Sequence, residues 1–139
     1  MRNPFEIVSW FEEAVAEYAG APYGIATDSC TDAIYLACKY LGIKNQKITI
    51  PKQTYVSVPQ SIVQAGGELE FEDLDWEGIY QLKPTSIYDS AKRLTSNMYI
   101  PGSYMCLSFH HKKHLKIGKG GMILTDDAQA VDRIKKLRY

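Results

Sequence analysis

Apolar positions along this chain alternate between two spacings. Val8, Phe11, Val15 and Tyr18 recur at three- and four-residue steps, which places them on one face of a helix. Asn3 is a capping residue, Pro4 suits a first helical position, Glu6 lies three after the cap, and Gly20 supplies a stop. Tyr23 to Thr27 then reads as a short buried strand. Asp28-Ser29-Cys30-Thr31 caps a second helix with Ile34, Ala37, Cys38 and Leu41 inward and Gly42 at its end. Lys47 to Ile50 is a strand stopped by Pro51. A third helix starts at Thr54 or Ser57, runs to Ala65 and breaks at Gly66-Gly67. Strands follow at Leu69–Phe71, at Thr85–Tyr88 ending on Asp89, at Tyr104–Phe109 and at Gly121–Thr125. Asp126-Asp127 caps a last helix carrying Val131, Ile134 and Leu137.

Strands and helices in alternation, with β-branched strands and helical crossovers, predict an α/β fold. Its sheet is expected to be mainly parallel and flanked by helices, in a three-layer α/β/α arrangement. The 139 residues suit one domain, and nothing reads as a linker or repeat. Ligands in such folds bind at the carboxyl ends of strands. Three segments satisfy that rule: Asp28–Asp32, Asp89–Lys92 and Ser108–Lys113.

Composition narrows the partners. Lys+Arg and Asp+Glu both number 16, so the formal net charge is zero and no global field favours nucleic acid or an anionic membrane. No apolar run is long enough to span a bilayer. Acidic residues interrupt the apolar stretch at the N-terminus, unlike a signal peptide. Three cysteines without a CxxC pair favour a reducing compartment, so a cytoplasmic protein is expected.

Each candidate segment has a plain and a chemical reading. Asp28–Asp32 opens a helix, and its free N–H groups and dipole suit a phosphate as well as simple capping. Asp89 can cap the turn after its strand or meet a protonated ring nitrogen. The stretch SFHHKKHLKIGKGG, Ser108–Gly121, holds three histidines and four lysines. A metal site is disfavoured there, because His110 and His111 would face opposite ways on a strand and the lysines oppose a dication. Nucleic-acid binding lacks an aromatic platform among Lys112, Lys113, Lys116 and Lys119. A solvated loop and a reactive lysine stay open; neighbouring cations would depress the pKa of such a lysine. Phosphate cradle, ring-nitrogen carboxylate and Schiff-base lysine together describe a pyridoxal 5'-phosphate site.

From about Phe11 to Arg138 the sequence resembles the DegT/DnrJ/StrS sugar aminotransferases, pyridoxal-phosphate enzymes of the aspartate aminotransferase fold. The similarity is carried by FEEAVAEYAG, by ATDSCTDAIYLACKYLG, by ITIPKQTYVSVPQSIVQAGGELEFEDLD, by YDSA, and by SFHHKKHLKIGKGGMILTDD. The resemblance implies that Lys113, five residues after Ser108, forms the Schiff base and shuttles protons. It implies Asp89 at the ring nitrogen, Tyr55 stacked on the ring, and Thr31, the Asp32 backbone and Ser108 on the phosphate. Lys92 stands where the family has Gln or His near the phenolic oxygen, and Cys30 replaces a glycine. Implied substrates are an amino-acid donor such as glutamate and a nucleotide-linked keto-sugar, in a homodimer or higher oligomer. Family members continue beyond the point where this chain stops, into further strands and a small C-terminal domain. Residues 1–139 therefore correspond to the N-terminal part of a pyridoxal-phosphate-binding large domain. A binder without turnover, or a sugar dehydratase of the same broad family, are the alternatives; Lys113 argues against the second, whose lysine is replaced by histidine.

Overall fold

The architecture is a sheet between two helical layers, seen in a computed structural model that describes residues 4–109 and 119–138. Its elements are α1 (Pro4–Ala19), β1 (Tyr23–Thr27), α2 (Cys30–Leu41), β2 (Lys47–Pro51), α3 (Ser57–Gln64), β3 (Glu68–Glu72), β4 (Tyr80–Leu82), β5 (Ile87–Asp89), β6 (Tyr104–Ser108), β7 (Gly121–Thr125) and α4 (Ala128–Leu137). Every element expected from the sequence is present, and β4 is additional. Gly42 ends α2 in the left-handed region, at φ 68°, and its N–H closes onto the carbonyls of Cys38 and Lys39.

The sheet is mixed, where a mainly parallel one was expected. Five strands lie in the order β1-β7-β6-β5-β4, with β5 and β6 parallel and the other three ladders antiparallel. β2 and β3 form a parallel pair, joined to the β4 edge by an antiparallel bridge between Thr49 and Lys83. Following these pairings, β1, β2, β3, β5 and β6 all point one way, while β7 and β4 are interleaved against them. The physical reason at β4 is connection length. The four residues between Leu82 and Ile87 can turn a hairpin but cannot make the crossover that a parallel pair needs.

Strand alternation feeds a core on each face. Tyr104, Cys106 and Ile123 join Ile34, Ala37, Ile50 and Ile62 beneath α2, α3 and α4. Met105, Leu107, Met122 and Leu124 meet Val15, Ala16 and Ala19 of α1 on the other face. The inward face of α1 is rotated from the one expected: Glu12 is buried and Tyr18 is 52% exposed. Among the described residues no helix is long and apolar enough to cross a membrane.

Asp127 ties the second layer together. Its Oδ1 accepts from the N–H groups of Gln129 and Ala130, capping α4, and its Oδ2 accepts from the hydroxyls of Tyr104 (2.6 Å) and Tyr40 (2.8 Å). The Tyr104 hydrogen bond, more than any other contact, holds the Asp127 carboxyl below the usual carboxylate range. A depressed folded-state pKa gives stability that is complete above the unfolded carboxylate range and is lost as pH falls through the folded value. We therefore expect Tyr104→Phe to lose less of its stability than the parent does between pH 7 and pH 3. Urea midpoints measured at both pH values test this, and equal losses would disprove it.

Candidate active site

The carboxyl ends of β1, β6 and β5 come together at one rim of the sheet. They carry Thr27, Ser108 and Asp89, and the β7 register sets Gly121 opposite both Thr27 and Ser108. The chain leaves β1 through Asp28 and enters α2 at once, so the N-terminus of α2 stands over this rim. That close approach depends on Gly121. A Cβ there would lie 2.4 Å from the Ser29 carbonyl carbon, 2.5 Å from its oxygen and 2.6 Å from the Cys30 nitrogen. The second glycine of the pair is thus needed for the packing of β7 against the turn that begins α2.

The result is a cleft of about 360 Å³, lined among others by Thr31, Tyr55, Ser57, Asp89, Ser108 and Lys119. Ser29 is the N-cap of α2, its hydroxyl accepting from the Asp32 N–H at 3.1 Å. Thr31 donates its hydroxyl to Ser57 Oγ (2.9 Å), bringing the starts of α2 and α3 together beside the opening. Orphan N–H groups and the helix dipole make this end of the cleft favourable for an anion. Tyr55 lies on the loop before α3 and is 75% exposed at the mouth.

Asp89 forms the cleft's acidic floor and is only 6% exposed. Its Oδ1 accepts from the Ala91 N–H (3.0 Å) and lies 3.8 Å from the Cys30 thiol, while Oδ2 accepts from the Tyr80 hydroxyl at 2.6 Å. Donors on both oxygens offset the desolvation of a carboxylate in this setting. Burial, then the Asp89 charge, pushes the Tyr80 phenol far above its ordinary range, so it remains a donor. Burial likewise raises the Cys38 thiol to about 12 and Cys106 well above normal, leaving both as inert thiols.

The residues singled out from the sequence fall into three groups. Thr31, Tyr55, Asp89 and Ser108 line the one cleft. Asp32 contributes its N–H to the Ser29 cap, and Lys92 lies in an adjoining hollow with Trp76, Gln53 and Thr54, its Nζ 5.2 Å from the centre of the Trp76 ring. The two hollows share Tyr55, Asp89 and Ala91. Lys113, with Lys112, Lys116 and the three histidines, lies outside the described residues. Ser57 and Tyr80 were not anticipated; the helix start marked Ser57, whereas nothing in the local pattern marked Tyr80. Among the described residues no cluster of histidines, cysteines and carboxylates could hold a metal.

A sequence model of the DegT/DnrJ/EryC1/StrS aminotransferase family matches residues 3–98 and 92–139. The chain is 26% identical to the spore coat polysaccharide biosynthesis protein SpsC of Bacillus subtilis, over 94% of this chain and 44% of that protein. It is 24% identical to a UDP-4-amino-4,6-dideoxy-N-acetyl-beta-L-altrosamine transaminase of Campylobacter jejuni, over 94% and 46%. The fold matches that of DesI, solved in the presence of its TDP-sugar product, with a TM-score of 0.78 at 20% identity, covering 97% of this chain and 45% of that one. The chain thus spans less than half the length of each of these relatives. The SpsC match runs over 176 positions, more than the 139 residues available, so SpsC carries additional residues within the matched stretch.

Proposed function

The chain belongs to the DegT/DnrJ/EryC1/StrS aminotransferase family, whose aminotransferases depend on pyridoxal phosphate, and on that premise we propose that it takes part in moving an amino group from an amino-acid donor such as glutamate to a nucleotide-linked keto-sugar. The observation that carries this reading is the convergence of Thr31, Tyr55, Ser108 and the buried Asp89 on one cleft from separate strand ends. That donor set fits the cofactor. A buried carboxylate suits a protonated ring nitrogen, and a helix N-terminus flanked by hydroxyls suits a phosphate.

Pyridoxal phosphate supplies a carbonyl that takes up amino groups and a ring that withdraws electrons. In this reading Asp89 keeps a proton on the ring nitrogen, and Tyr55 lays its π-face along the ring at the mouth. Thr31, the Asp32 backbone and Ser108 hold the phosphate. Lys92 faces the phenolic oxygen from the adjoining hollow. Lys113 would be the residue that bonds the cofactor and moves protons between it and the substrate. The nucleotide-sugar class is supported by the names of the relatives above, and the cytoplasm by three cysteines with no disulfide among them. A second copy of the chain, in a homodimer or larger assembly, is the partner expected to complete the site. Because the chain is under half the length of the relatives above, a second reading is cofactor binding without turnover by this chain alone.

Adding pyridoxal phosphate to the purified protein is expected to produce a visible absorbance band. Borohydride should then fix the cofactor on Lys113, as read by peptide mass spectrometry. Lys113→Ala should abolish the label and lower amino transfer at least about 100-fold. Equal labelling of the variant would refute the assignment of Lys113. A labelled protein that transfers no amino group would favour the second reading.

A further inference from the structure

The short strand β4 does more than extend the sheet. Its antiparallel register sets Tyr80 directly opposite Asp89, and directly opposed residues project on the same face. Tyr80 is 4% exposed, and its hydroxyl reaches Asp89 Oδ2 at 2.6 Å, the length of a charge-assisted O–H···O⁻ bond. The phenol is itself held in place. Trp76 packs edge-on against its ring with centroids 4.6 Å apart, and the Trp76 indole N–H donates to the Gln53 carbonyl at 2.8 Å. Lys92 covers the other ring of that pair, 5.2 Å from the Trp76 centre. Oδ1, in contrast, lies beside Cys30 and Ala91, both of which line the cleft.

We propose that Tyr80 is a positioning residue: it clamps Oδ2 of Asp89, directs Oδ1 to the cleft, and keeps the carboxylate ionised for a positively charged ring nitrogen. The ring nitrogen as the ligand of Oδ1 rests on the cofactor reading above; the clamp itself does not. Among the described residues, the side chains that face Asp89 include Tyr80 from β4, Cys30 from α2 and Cys106 from β6. A phenolic O–H is a stronger donor than a thiol S–H, so the tyrosine hydroxyl is the strongest donor of the three. Its removal therefore changes how readily Asp89 takes up a proton, while the packing of the ring is preserved.

Tyr80→Phe tests this in two arms. Without cofactor, the side-chain carboxyl carbon of Asp89 is followed by NMR through an acid titration. Protonation in the variant is expected at least about one pH unit higher than in the parent. With pyridoxal phosphate labelled with 15N at the ring, the nitrogen signal is expected to shift toward that of an unprotonated pyridine. Melting curves report whether the fold is kept. Should Tyr80→Phe fail to fold, replacement of Tyr80 by 3-fluorotyrosine keeps the shape and strengthens the donor, and should move the Asp89 midpoint downward. An unchanged midpoint, or a ring nitrogen signal identical to the parent's, overturns the proposal. If neither protein takes up pyridoxal phosphate, the cofactor reading falls, and the first arm still decides whether Tyr80 holds Asp89.

Discussion

Glu12→Ala is expected to destabilise the protein by about 3–5 kcal/mol, the range for breaking a buried ion pair from one side. The Glu12 side chain is 4% exposed, and its Oε2 lies 2.9 Å from Nη1 of Arg138, itself 10% exposed. The same carboxylate oxygen accepts the Ala26 N–H at 2.7 Å, and the same guanidinium nitrogen donates to the Ala26 carbonyl at 2.9 Å. Among the described residues β1 is an edge strand, paired with β7, so the pair caps backbone groups that would otherwise offer a template for another chain. Alanine at position 12 takes the acceptor from Ala26 and the counter-charge from Arg138 together. Lys135, 3.4 Å from Oε1 but 36% exposed, adds little. Urea unfolding of Glu12→Ala, Arg138→Ala and the double variant provides the measurement. The double variant should cost at least about 1 kcal/mol less than the sum of the singles. Additive losses would show that the two residues act separately.

That contact also marks a limit of what periodicity conveys. Spacing placed a helix over α1, and it is there, but a face drawn through Val8, Phe11, Val15 and Tyr18 could not anticipate a buried glutamate. Its partner Arg138 is 126 residues away, and local pattern carries no information at that separation. The antiparallel direction of β4 was hidden for a related reason. Three residues are too few to show alternation. The other elements were legible because caps, glycines and apolar spacing agreed with one another. Ser29 and Asp127 cap the helices that their side chains favour, and Gly42 ends α2 at a positive φ.

The cleft was legible through topology more than through any single residue. Asp28–Asp32, Asp89 and Ser108 are far apart in sequence, yet the rule that ligands meet the carboxyl ends of strands selected all three segments. Thr31, Asp89 and Ser108 do line a common opening, with Tyr55 at its mouth. Lys92 stands in the adjoining hollow because the chain turns after Ala91 and its side chain lies over Trp76. Tyr80 escaped notice because its role depends on a ladder partner, and register is set by the turn between the strands. The clamp on Asp89 is therefore a property of the hairpin, which the spacing of YDSA alone does not contain.

Gly121→Ala is expected to be the most damaging single-methyl change at the cleft. The added Cβ would stand 2.4–2.6 Å from backbone atoms of Ser29 and Cys30, and backbone cannot rotate away as a side chain can. Overpacking of this kind costs about 1–3 kcal/mol, and more where the neighbours are rigid. Relief requires the N-terminus of α2 to lift from β7, which displaces Thr31 and widens the anion end of the cleft. The variant should lose about 3 kcal/mol of stability and at least about tenfold in affinity for pyridoxal phosphate, or for inorganic phosphate as a probe. Gly42→Ala is the matched control. Its Cβ would meet nothing within 4 Å, but φ of 68° strains any L-residue by about 1–2 kcal/mol. It should therefore lower the urea midpoint modestly and leave phosphate affinity unchanged. Equal affinities for the parent and Gly121→Ala would show that the α2 N-terminus is not where the anion binds. Equal affinity losses in both variants would trace the effect to global stability, because Gly42 lies at the far end of the same helix.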